Sequence, residues 1–189
     1  MNIERFKMII DFQEPLLCVQ GDIFDTPADH IAFAVNYPNT EGQSENGYSG
    51  FAGEICQRFW PDLKNIKFKK GEIRSHRAQG KTFHAMAVHS NEPEGWKDSP
   101  YLIEDCLNRL PVDSTEVIAI VLIGGGKAGK KWKASVNNIV GMSRSYKTAV
   151  LYIKEIDYYR AALSLGVIRQ SIPLQLLPKT KKYRAQLAS

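Results

Sequence analysis

In "TEVIAIVLI" (115–123) residues 117–123 form an unbroken apolar run rich in β-branched residues, and the chain then reads "GGGKAGKKW" before apolar residues recur at helical spacing. A continuous run of this kind suits a strand covered on both faces, as in a parallel sheet flanked by helices. After the glycines, Trp132, Val136, Ile139 and Val140 fall on one side of a predicted helix, and "TAVLYI" (148–153) supplies a second apolar strand. Strand, helix and strand within 116–153 make a βαβ unit with its two strands parallel. That unit commits the chain to an α/β fold of three layers, helices on both faces of a mixed central sheet.

The flanking sequence repeats the pattern. Strands are expected at 3–10, 16–20 and 31–36, and a hairpin at "GEIRSHRA", "QGK" and "TFHAMAVHS". Helical spacing in "FAGEICQRFW" puts Phe51, Ile55, Cys56 and Phe59 on one face, with Pro61 as the stop. A second helix is predicted from Ser99, with Ser99 as N-cap, Pro100 at its first position and acids in the opening turn. "DYYRAALSLG" predicts a last helix ending at Gly166, followed by a basic, proline-broken tail. At 189 residues the chain is expected to be one domain, its core at about 15–155 and a basic helix and tail at about 156–189.

No run approaches the roughly 18 apolar residues of a membrane span, and charges interrupt the short apolar stretches of "MNIERFKMIIDF". An intracellular, cytoplasmic protein without a membrane partner is expected. Cys18, Cys56 and Cys106 are odd in number and widely spaced, which argues against both a zinc site and a disulfide framework; no metal and no cofactor is expected, and a monomer is. Charge is uneven along the chain. Residues 1–125 hold 12 Lys and Arg against 18 Asp and Glu, and residues 126–189 hold 13 against 2. A basic third that begins at the glycine run suits a polyanion, either a nucleotide diphosphate or a nucleic acid.

Glycines between a buried strand and a helix permit positive φ angles and bare the main-chain N–H groups, which converge on an anion at the helix's positive end. A phosphate cradle is thus expected over Gly124, Gly125, Gly126, Lys127, Ala128 and Gly129. Residues 124–130 also match G-x-x-x-x-G-K, but Lys131 stands where a nucleoside triphosphatase needs Ser or Thr for magnesium, so that reading is set aside.

Four separated segments, in order, resemble the macro domain family of ADP-ribose-binding modules. "VQGDIFD" (19–25) is similar to the segment that opens macro domains; the resemblance implies that Asp22 accepts a hydrogen bond from the adenine amino group, with Ile23 beside it. "AVNYPN" (34–39) is similar to the family's V-N-A-A-N, which implies a structural role for Asn36 and places Asn39 against the distal ribose. "SGFAGEI" (49–55) resembles the first phosphate loop and implies Ser49, Gly50, Phe51 and Ala52 as ligand contacts. "IGGGKAGKKW" resembles the second loop, in the form found in the terminal ADP-ribose protein glycohydrolase and DNA-ADP-ribosyl glycohydrolase branch. Taken without the resemblance, Asp22 is equally a turn or capping residue, Asn39 a turn former and Phe51 a core residue.

The implied ligand is ADP-ribose or a derivative, carried in free form or on a modified protein or nucleic acid. In the glycohydrolase branch a lysine attacks the sugar and an aspartate assists; the corresponding places hold Ser90 and Ala128, so no covalent lysine step is expected. His89, at a strand end, and Asn39 are the candidates for hydrolytic chemistry, either phosphate removal from ADP-ribose-1''-phosphate or ADP-ribosyl hydrolysis. The alternative from another class is a nucleic-acid-binding module that uses the basic C-terminal third, with "KTKKYRAQ" as an arm and Tyr183 for stacking.

Overall fold

The computed structural model describes residues 16–37, 50–90, 99–124, 132–145 and 148–170. The expected strand at 3–10, the loop carrying Asn39 and Ser49, the glycine-loop residues 125–131 and the tail from 171 lie outside the described residues.

The β-branched run forms β5 (Ile118–Val121) at the centre of a seven-stranded sheet, where Ile118, Ala119 and Ile120 have no exposed surface. Its neighbours are β2 (His30–Tyr37) and β6 (Ala149–Ile153), both parallel to it. Beyond β6 come β1 (Leu16–Gln20) and β7 (Ile168–Gln170), and beyond β2 come β4 (Lys81–Ser90) and β3 (Ile73–Ala78). Among the described strands only the β3 and β4 pair is antiparallel, so the sheet is mixed, as the sequence predicts. Gln79 and Gly80 close that hairpin with φ of 50° and 78°. Positive φ at both central residues is the type I′ pattern, whose twist matches that of the strands it joins.

The fold has four helices among the described residues: α1 (Gly50–Arg58), α2 (Ser99–Arg109), α3 (Trp132–Ser143) and α4 (Ile156–Ser164). One face of the sheet packs on α2, α3 and α4 through Ile103, Leu107, Val136, Ile139 and Tyr159. The other face packs on α1 and a 3-10 turn at Pro61–Asn65, through Phe33, Ala52, Ile55, Leu63 and Phe83. These are the three expected layers. At the seam of α2 and α3, a Cβ built on Gly141 would stand 2.2 Å from the Pro100 carbonyl oxygen, so only glycine allows this approach.

Three local expectations need correction. No acid occupies the first turn of α2; Glu104 and Asp105 come later in the helix. Ser99 is the first described residue of α2, and its hydroxyl donates to the Val88 carbonyl at 2.6 Å. A buried strand-end acceptor has claimed the group that was assigned to a cap. On α1 the deeply buried residues are Ala52, Gly53 and Ile55, and Phe51, Cys56 and Phe59 are half-buried. β7 was not anticipated: three residues are too few for a periodic signal, although Gly166 (φ 71°) stops α4 directly before it.

Candidate functional site

Parallel strands point the same way, so their carboxyl ends share one edge of the sheet. Along that edge β4, β2, β5, β6 and β1 deliver His89, Asn36, Gly124, Lys154 and Asp22 in turn. Four strand intervals cover about 19 Å, room for an extended nucleotide diphosphate sugar.

The best-defined group here is Asp22. Past the end of β1 it caps a 3-10 turn (Ile23–Asp25): Oδ1 accepts from the Phe24 N–H at 3.0 Å, and Oδ2 accepts from Lys154 Nζ at 2.9 Å. Burial alone would push the carboxyl pKa up. The Lys154 and Phe24 hydrogen bonds, with the Lys154 and Arg58 charges, outweigh it and hold the acid below its ordinary value. Lys154 in turn is held above its ordinary value, chiefly by the bond to Asp22. Asp22 is therefore an ionised acceptor at neutral pH, about one-third exposed. The neighbouring backbone is fixed by Lys81, whose Nζ donates to the Thr26 and Ala28 carbonyls at 2.6 and 2.9 Å.

Around it stands an aromatic cluster. Phe24 stacks on Phe51 at 5.1 Å between centroids and on Phe59 at 5.5 Å, and the Arg58 guanidinium lies 4.4 Å above the Phe24 ring. Phe51 also meets Phe33 edge-on at 5.8 Å, so packing accounts for much of its surface. Ile23 is 4% exposed and belongs to the core, which leaves its main chain as the part that can meet a ligand. Ala52 is likewise buried. Gly50 and Gly124 take φ of 66° and 83°, the left-handed conformation for which glycine is suited, at the mouths of the two expected loops. Ser49, Asn39, Gly125, Gly126, Lys127, Ala128 and Gly129 lie outside the described residues.

Asn36 pairs with His89 across β2 and β4 just after an irregularity that skips Val88. His89 Nδ1 lies 3.2 Å from Ser99 Oγ, and because that hydroxyl already donates to Val88, the ring is the donor. Burial lowers the His89 pKa to about 4, so the imidazole is uncharged at neutral pH. It can receive a proton but does not hold one ready to give.

One residue that sequence reasoning missed is Asn138, whose Nδ2 donates to the Ile123 carbonyl at 3.1 Å and ties α3 to the chain just before Gly124. Its signal was a polar residue between Val136 and Ile139 on an apolar helix face. Cys18 and Cys106 are buried free thiols with pKa values pushed up by burial to about 12 and about 11, so they are inert at neutral pH; Cys56 is half-buried. Among the described residues no three His, Cys, Asp or Glu side chains are grouped to hold a metal, and no helix is long and apolar enough to cross a membrane.

No protein-family profile matches the chain, and no curated protein matches it by sequence. Solved structures do. A Trypanosoma brucei macrodomain in complex with ADP superposes with a TM-score of 0.56 at 12% identity, over 79% of this chain and 68% of that one. The same macrodomain in complex with ADP-ribose gives 0.53 at 14% identity, over 80% and 73%. An alphavirus P23pro-zbd chain gives 0.56 at 16% identity, over 81% of this chain and 24% of that one, so the present chain spans about a quarter of the alphavirus protein. A tomato leucine aminopeptidase also matches, at 0.51 and 10% identity, over 81% and 36%. At such identities the likeness is one of fold, and the fold is that of the macrodomains.

Proposed function

We propose that the chain binds ADP-ribose or an ADP-ribose derivative along the carboxyl edge of its sheet, with the base end at Asp22 and the diphosphate between the two glycine loops. The observation that carries this is the Asp22 carboxylate. It is ionised and fixed by the Phe24 N–H at a strand's carboxyl end, where α/β sheets take their ligands. The Trypanosoma macrodomain that shares the fold was solved with ADP and with ADP-ribose, which supports the same ligand class here. In this reading Asn39 meets the distal ribose, and Ser49 to Ala52 and Gly124 to Gly129 supply main-chain donors to the phosphates.

Hydrolysis of ADP-ribose-1''-phosphate or of an ADP-ribosyl link is the finer version, nearest to the glycohydrolase branch in motif pattern. Water is then the nucleophile, because Ser90 and Ala128 offer no amine or acid, and the neutral His89 ring is the base that takes its proton. A cytoplasmic setting fits this chemistry.

Titration calorimetry with ADP-ribose tests the binding. A saturable heat and a rise in melting temperature are expected, and their absence at millimolar ligand rejects the proposal. Single-stranded RNA as a competitor tests the nucleic-acid alternative, which predicts steep loss of binding with salt.

A further inference from the structure

Two strand ends are locked together beside Asp22. The Gly21 N–H donates to the Ile153 carbonyl at 3.0 Å, and Gln20 Nε2 donates to the Lys154 carbonyl at 3.0 Å. Lys154 therefore leaves the sheet from a fixed point, and its ammonium meets Asp22 Oδ2 at 2.9 Å although two-thirds of the side chain is exposed. The other cation nearby is engaged differently: Arg58 bonds Glu54 at 2.9 Å and lies over Phe24 and Phe59.

A carboxylate alone is an acceptor only. It welcomes the 6-amino group of adenine and repels the 6-oxygen of hypoxanthine or guanine, a mismatch that leaves polar groups unpaired and gives strong rejection. With Lys154 bonded to it, the edge offers an acceptor and a donor side by side. Adenine fits in one order, its amino group to Asp22 and its N1 to Lys154. A 6-oxopurine fits in the other, its N1–H to Asp22 and its O6 to Lys154. Both arrangements use charge-assisted hydrogen bonds, and the three rotatable donors of the ammonium follow either base.

We propose that Lys154 is a specificity-determining residue that opens the base end to 6-oxopurine diphosphoriboses as well as to ADP-ribose. The inference rests on the ADP-ribose reading and deepens it.

The test compares dissociation constants for ADP-ribose and inosine diphosphoribose, which carry the same charge and differ only at the base, in the wild type, Lys154→Met and Lys154→Arg. Because the charge is common, any general loss of attraction for the diphosphate cancels in the ratio. In the wild type the two constants are expected within about fivefold, and in Lys154→Met the ratio is expected to move at least about tenfold against the inosine ligand. Lys154→Arg, which keeps a donor, restores it. A wild type that already rejects the inosine ligand by a hundredfold, or a ratio that Lys154→Met leaves unmoved, overturns the proposal while ADP-ribose binding stands. Failure of both ligands to bind overturns the parent reading and the inference with it. Melting curves of the variants confirm folding, as expected for a residue whose side chain is mostly in solvent.

Discussion

The two ends of the parallel strands both carry polar clusters, and these are built in opposite ways. At the amino end, Ser75, His84, His30 and Glu116 form a chain across β3, β4, β2 and the entry to β5. Ser75 Oγ and His84 Nδ1 are 2.7 Å apart, His84 Nε2 and His30 Nδ1 are 2.9 Å apart, and His30 Nε2 is 3.5 Å from Glu116 Oε2. A neutral His30 that turns Nε2–H toward the Glu116 carboxylate would accept from His84 Nε2, and His84 would then accept from Ser75. His84 has no exposed surface, and burial, with the neighbouring His30, lowers its pKa to about 4. At the carboxyl end, Asp22 and Lys154 pair with one-third and two-thirds of their side chains in solvent, and the acid is ionised. One fully buried, uncharged ring, His84, stands at the middle of the amino-end chain and fastens β3, β4 and β2. Charged, solvated groups at the other end are within reach of a ligand.

The largest expected effect follows from acid. His84 and His89 each have a folded pKa near 4 against 6.5 for the free side chain. The unfolded chain takes up protons first, so stability is full above pH 6.5 and falls as the pH drops from 6.5 toward 4. Each ring is worth roughly 3 kcal/mol over that range. Urea unfolding at pH 7, 5 and 4 measures the loss, and His84→Gln should remove about half of its pH dependence. If His84→Gln leaves the dependence intact, the amino-end cluster is not the closed structure described above.

Next in size is Gly141→Ala, which lies at neither end. Its Cβ would meet the Pro100 backbone at 2.2 Å, and the three atoms nearest to it are all main-chain atoms of Pro100. A cost of about 3 kcal/mol is expected in urea unfolding. This variant sharpens the comparison, because a shared core should weaken both ends together, whereas variants at one end should spare the other.

Most of this architecture could be read from the sequence, since hydrophobic period reports burial directly. β5, β6, the hairpin and α3 sit where apolar runs and helical spacing put them. Asp22 was singled out through the resemblance of "VQGDIFD" to the macro domain segment, while its residue type alone also allows the turn cap that the structure shows. Its partner was not: Lys154 is 132 positions away, and only the pairing of β1 with β6 brings the two together. The histidine chain was invisible for the same reason. His30, His84, Ser75 and Glu116 come from four segments, and cross-strand register is a property of the folded sheet. Asn39, Ser49 and residues 125–129 remain expectations drawn from the resemblance, outside the described residues.

Asp22→Ala separates the ends most directly. The turn loses its cap and the base end its acceptor, so ADP-ribose affinity should fall about tenfold or more, while stability shifts by about 1 kcal/mol or less. Calorimetry and urea unfolding on one preparation give both numbers, and a stability loss without an affinity loss would place the ligand elsewhere.

Ser75→Ala is the mirror experiment and should have the smallest effect. The hydroxyl belongs to an exposed residue on the edge strand β3, yet its partner, His84 Nδ1, is buried. Because Ser75 is exposed on the open edge of β3, water replaces the lost donor and the expected cost is about 0.5 kcal/mol. A measured cost of about 1–3 kcal/mol would show instead that His84 is sealed from that side and left without a partner. In both cases ADP-ribose binding should be unchanged, because the relay and Asp22 stand at opposite ends of parallel strands. A fall in affinity from this substitution would mean that the two ends communicate through β2 and β4, and the division of labour between them would no longer hold.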